Sequence, residues 1–132
     1  MIAADTSSWI AYLQGESASD TDLLDAALEQ KQVLMSPVVL TELLSDPHLN
    51  PSVEKILSAV PLIEITDGFW NRAGALRARV LAKGRKARLG DALIAQSCVD
   101  RDIRLITRDR DFQVFADAAK LDIVLRSSRP GS

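Results

Sequence analysis

Cysteine and histidine are almost missing from this chain: Cys98 and His48 occur once each in 132 residues. One cysteine cannot form an internal disulfide, which fits a reducing compartment. Cys98 sits on an apolar helix and reads as core. His48 lies far from it, in the turn DPHLNP, so there is no Cys/His cluster of the kind zinc takes. His48 is also the sole candidate base for a Ser-His-Asp or Cys-His enzyme, and a residue between two prolines suits a surface loop better. Aromatic side chains are few. Trp9, Tyr12, Phe69 and Trp70 fall on helical segments, where packing is commoner than base stacking. No apolar stretch approaches the roughly 20 residues needed to span a bilayer. The first residues, MIAADTSSWIAYL, lack a basic region and carry Asp5 inside the apolar run, so they do not read as a secretory signal. A cytoplasmic protein with no membrane contact is expected.

Hydrophobic residues make up 47% of the chain and charged ones 26%, a balance that supports one globular domain of this length. The net charge of -2 conceals a division. Residues 1–67 carry 11 acidic and 2 basic side chains, whereas residues 68–132 carry 14 basic and 7 acidic. Within the second half, Arg72, Arg77, Arg79, Lys83, Arg85, Lys86 and Arg88 follow one another with no acid between them. Such a run is either a solvated face or a seat for a polyanion.

Apolar runs and helical stripes alternate along the chain. MIAAD, VLMS at 33–36, PLIEI at 61–65, DIRLIT at 102–107 and DIVL at 122–125 read as strands. Helical spacing between them covers 8–13, 21–30, the segment opened by Pro37, 52–60, 68–82, ALIAQSCV and FQVFADAAK. Gly15–Asp20 and Gly84–Gly90 read as loops. Strands alternating with helices predict an α/β fold, a parallel sheet covered on both faces. The expected organisation is a single domain over 1–126 and a tail over 127–132.

Active groups in such a sheet gather outside the carboxyl ends of its strands. Four acids belong there. Asp5 and Asp109 each follow a strand, Asp91 opens an apolar helix, and Glu42 lies early in the helix after the second strand. Each has a bland reading. Asp5 and Asp91 could be helix caps, Glu42 could face solvent, and Asp109 and Asp111 could exchange the roles of site acid and cap. Together, four carboxylates at one rim repel one another unless a cation sits among them. An all-oxygen set suits Mg²⁺ or Mn²⁺ and points to a metal-dependent phosphodiesterase.

The segments MIAADTSSWIAYL, SPVVLTELL, LGDALIAQSCVDRDIRLITRDRDF and the final DIVL resemble the PIN-domain family, and within it the ribonuclease toxins of VapBC-type toxin–antitoxin pairs. The likeness spans nearly the whole chain, in the same order. It implies a three-layer α/β/α sandwich with a central parallel sheet. It implies an acidic pocket of Asp5, Glu42, Asp91 and Asp109 that holds one or two Mg²⁺ (or Mn²⁺) ions for endoribonuclease chemistry. Ser7 and Thr107 match hydroxyls that support these acids, and Asp111 could assist. The resemblance also implies a homodimer and a cognate antitoxin. RNA would lie along Arg77, Arg79, Lys83, Arg85, Lys86 and Arg88. Two other readings compete: an RNA-binding domain whose pocket has lost its chemistry, and a receiver- or phosphatase-like domain. The latter wants paired acids after the first strand and a late lysine, where this chain has Thr6, Ser7 and Arg126.

Overall fold

The computed structural model describes residues 1–125. The expected tail at 127–132 and Arg126 lie outside the described residues. Three parallel strands form the sheet in the order β1 (Ile2–Ala4), β2 (Arg104–Thr107), β3 (Ile123–Leu125). Ala4 pairs with Ile106, and Ile106 with Val124. Ile2, Ala3 and Ala4 are all buried. Successive strand side chains point to opposite faces, so both faces of the sheet are covered, as a parallel sheet requires.

The expected strands at 33–36 and 61–65 shrink to single parallel bridges, Ile2 to Val33 and Met35 to Leu62. Prolines clip both segments. Pro37 turns the chain into a helix directly after the first, and Pro61 has no N–H to lengthen the second. The bridges still extend the sheet by two positions, with Leu34 N–H donating to Ile2 O and Ile63 N–H to Met35 O, both at 2.9 Å. The spatial order is then 61–63, 33–35, β1, β2, β3. Chain order reverses between β1 and β2, which makes the carboxyl end of that pair the switch point where α/β sheets bind ligands.

The helices are α1 (Thr6–Leu13), α2 (Ser19–Glu29), α3 (Pro37–Leu44), α4 (Pro51–Ala59), α5 (Phe69–Ala82), α6 (Leu89–Arg101) and α7 (Gln113–Ala118), the last entered through a 3-10 turn at Arg110–Phe112. Proline starts α3 and α4, where its missing N–H costs nothing. Two boundaries move. Ser19 and Asp20, expected in a loop, open α2, where the Thr21 hydroxyl accepts from Ala18 N–H at 2.9 Å. Leu89 and Gly90, also expected in a loop, open α6.

Helix α6 is the buried central helix its sequence announces, with Ala92, Ile94, Ala95 and Cys98 inside. It ends at Asp102, whose left-handed backbone (φ 53°) turns the chain into β2. Cys98 is core, and burial pushes its thiol up to about 12. His48 is exposed. Trp9 and Phe69 are buried packing residues, whereas Trp70 is 65% exposed against the edge of Phe69. Among the described residues, no helix is long and apolar enough to cross a membrane.

Candidate active site

Asp5, Glu42, Asp91 and Asp109 line one cleft of about 250 Å³, together with Thr6, Ser7, Ile10, Arg88, Ile94 and Phe112. It opens at the carboxyl ends of β1 and β2, the switch point of the sheet. A larger hollow of about 440 Å³ lies at the opposite rim, beside Met1, Asp102, Arg104 and Asp122. Arg104 already neutralises Asp122 there, at 2.8 Å, so size and chemistry part company.

Asp5 is the most constrained of the four. It is 3% exposed and caps α1, its Oδ1 accepting from Ser8 N–H at 3.0 Å. The Ser7 hydroxyl reaches the same oxygen at 2.8 Å, and the buried Thr107 hydroxyl donates to Oδ2 at 2.6 Å. Cap and cleft acid are therefore one residue. Ser7 and Thr6, with hydroxyls suited to capping, serve carboxylates instead: Thr6 donates to Glu42 Oε1 at 3.0 Å. Burial raises the Asp5 carboxyl above its ordinary value. The donors Thr107, Ser8 and Ser7 pull it back in part, and the nearby Asp109 charge adds to the rise.

Asp91 is the third residue of α6, not its cap, which is Arg88. Partial burial, reinforced by the charges of Asp109, Asp5 and Glu42 and opposed by Arg88, pushes its carboxyl up to about 6. Among the described residues, no hydrogen bond offsets that rise. Asp109 lies on extended backbone after β2. Its own N–H donates to Thr107 Oγ1 and its Oδ1 accepts from Asp111 N–H, each at 2.9 Å. The division expected between Asp109 and Asp111 is thus altered: Asp109 is both cleft acid and cap of the 3-10 turn. Asp111 sits within that turn and faces Lys86 at 3.6 Å.

The basic run disperses. Arg88 reaches the cleft. Arg77 Nε donates to Ala87 O at 2.9 Å and so holds the loop before α6. Lys83 and Arg85 border a small hollow against α7, and Arg79 is exposed on α5. Arg72 clamps Asp100 at 2.6 Å, at the far end of α6.

An all-carboxylate set, two of whose members are raised first by burial and then by neighbouring acids, has the donor chemistry of a hard cation site. As the chain stands, no three described His, Cys, Asp or Glu side chains close tightly enough on one point to hold an ion.

Two features escaped the sequence reading. One is the Thr6–Glu42 contact. The other is a buried ion pair of Asp20 and Arg108, joined at two points of 2.9 Å. The partners stand 88 residues apart, and no periodicity marks either.

A family model described as PIN domain matches residues 2–118. Ribonuclease VapC11 of Mycobacterium tuberculosis and VapC ribonuclease Mb1587 of Mycobacterium bovis are each 27% identical over 128 residues, covering 92% of this chain and 96% of theirs. Among solved structures, VapBC2 from Rickettsia felis, bound to a DNA fragment from its promoter, aligns with a TM-score of 0.75 at 21% identity, over 95% of this chain and 98% of that one. VapBC-1 from nontypeable Haemophilus influenzae aligns at 0.73 and 19%, with the same coverage. At those identities the likeness is one of fold.

Proposed function

Because the chain belongs to the PIN domain family, we propose that it is a divalent-cation-dependent endoribonuclease, the toxin of a type II toxin–antitoxin pair. The observation that carries this reading is the convergence of Asp5, Glu42, Asp91 and Asp109 on one cleft at the switch point of the sheet. The relatives named VapC ribonuclease, matched over nearly their full length, support the choice of RNA. The same reading brings with it a cognate antitoxin, a homodimer and a cytoplasmic location.

Asp5 and Asp91 are the proposed principal ligands of Mg²⁺ or Mn²⁺, with Glu42 and Asp109 completing the site. A bound cation supplies Lewis acidity, activating water and offsetting the charge that grows on the phosphoryl oxygens. The side chains do the rest. Ser7, Ser8 and Thr107 fix both oxygens of Asp5 and so fix its direction. Thr6 orients Glu42 from the α1 side. Asp91, with a carboxyl at about 6, is already mostly ionised near neutral pH, and an entering cation would offset the charge that burial and its acidic neighbours disfavour. Arg88, at the mouth of the cleft, contacts the RNA backbone, a positioning role that reads no sequence. The remaining basic residues of α5 and the following loop add a more distant attraction that salt screens.

The spacing of the four acids favours a second reading, a binding domain whose pocket no longer closes on an ion. One experiment separates the two. Total cellular RNA is incubated with the purified protein in Mg²⁺, in Mn²⁺ and in EDTA. Discrete fragments with 5′-phosphate and 3′-hydroxyl ends, absent in EDTA, are expected. RNA retained without cleavage in either metal would favour the binding domain.

A further inference from the structure

Asp20, in the first turn of α2, is 1% exposed and charged. Arg108 meets it with a two-point fork, Nε to Oδ2 and Nη2 to Oδ1, each 2.9 Å. The third arm of Arg108, Nη1, donates to Glu16 at 2.9 Å, and the Ser8 hydroxyl donates to Asp20 Oδ2 at 2.8 Å. Burial works to raise the Asp20 carboxyl, but Arg108 and Ser8 hold it below its ordinary value, so it stays ionised.

These contacts close a circuit that meets the cleft at Asp5. Ser8 ties Asp20 by its hydroxyl and Asp5 by its backbone N–H. Thr107, the neighbour of Arg108, ties Asp5 Oδ2 and accepts from Asp109 N–H. Resting on the nuclease reading above, we infer that Asp20 and Arg108 are a positioning pair for the reaction, holding the loop after β2 so that Asp109 stays aimed into the cleft beside Asp5.

The geometry explains why such a clamp is needed. Asp109 has extended backbone (φ -94°, ψ 113°), so it and Arg108 project to opposite sides of the chain. One side holds repelling carboxylates, which push the loop outward. The other side holds the fork, which pulls it back against α2 and, through Glu16, the segment before it. A buried ion pair is weak evidence of stabilisation, since apolar residues of similar size often serve a fold as well. A bidentate fork adds direction, which apolar packing does not supply.

The test replaces both partners together, Asp20→Leu with Arg108→Met, because removing one would strand a buried charge. The control is Arg104→Met with Asp122→Leu, at the opposite end of β2. In the first double variant, kcat is expected to fall roughly 10–100-fold and Mn²⁺ binding, read by calorimetry without RNA, to weaken by about tenfold or more. KM for a cleaved RNA is expected to stay within about threefold, since phosphate contacts are untouched. The thermal midpoint should fall by a few degrees, because the buried Ser8 hydroxyl loses its acceptor, and the control pair should match wild type throughout. Arg108→Lys keeps the charge without the fork. It is expected to lose part of kcat and of Mn²⁺ affinity, and it decides the matter if the double variant does not fold. Wild-type kcat and Mn²⁺ affinity in the folded variants would overturn the inference while leaving the nuclease reading intact. A wild-type protein that neither cleaves RNA nor binds Mn²⁺ would remove that reading, and this inference with it.

Discussion

Replacing Asp91 with asparagine removes a charge that the metal-free fold carries at a cost. Its carboxyl is pushed from 3.8 up to about 6, first by burial and then by Asp109, Asp5 and Glu42. Taken whole, that displacement corresponds to a penalty of about 3 kcal/mol on the ionised form. Asp91 is partly open to solvent, so screening reduces the figure to about 1–2 kcal/mol. Asparagine is close in shape and carries no charge. In EDTA at pH 7.5, Asp91→Asn should therefore melt about 3–8 °C above wild type. The folded form holds its proton more tightly than the unfolded chain does. Stability is thus fully present below about pH 4 and lost as pH rises through about 6. The gap between variant and wild type should accordingly vanish near pH 4 and be complete above pH 7. Circular dichroism melts at both pH values measure it. Asp91 also stands in the first turn of α6, where a negative charge is favoured. A variant that melts below wild type at pH 7.5, or a gap that ignores pH, would show that helix-end role to dominate and would refute the strain argument.

Four further substitutions separate the parts of the site. Thr107→Val leaves Asp5 Oδ2 without its 2.6 Å donor and Asp109 N–H without its acceptor; urea unfolding should show a loss of about 1–3 kcal/mol. Asp109→Asn retains an oxygen to accept from Asp111 N–H and removes a charge that raises Asp91 and Asp5, so its melting point should hold or rise while RNA cleavage falls by roughly 10–100-fold or more. Arg88→Gln should flatten the salt dependence of RNA binding by about 0.7 in log–log slope, measured by fluorescence anisotropy. Arg77→Met should instead lower stability, because Arg77 holds Ala87 O.

Local chemistry carried much of this in the sequence. The apolar run of β1 ending in Asp5 announced both a buried strand and a carboxylate at its rim, and the apolar face of α6 announced a central helix that brings Asp91 inward. Proline announced the starts of α3 and α4. The segments at 33–36 and 61–65 have β-like composition, but Pro37 ends the first and Pro61 begins the second, and each junction keeps a single bridge, Ile2 to Val33 and Met35 to Leu62. The basic run looked continuous along the chain, yet helix periodicity and the turn before α6 spread it over several surfaces, and only Arg88 among the residues from 72 to 88 lines the acidic cleft. Asp20 was illegible. Surrounded in sequence by polar residues, it is buried against Ser8 of α1 and Arg108, which the fold delivers from the end of β2.

The most direct measurement is calorimetric titration of the protein with Mn²⁺ at pH 7.5, without RNA, beside Asp5→Asn and Asp91→Asn. Saturable binding to wild type, lost or greatly weakened in both variants, is the predicted result, and it would tie the four gathered carboxylates to a cation. Equal binding by all three proteins, or none by wild type, would contradict the account at its centre.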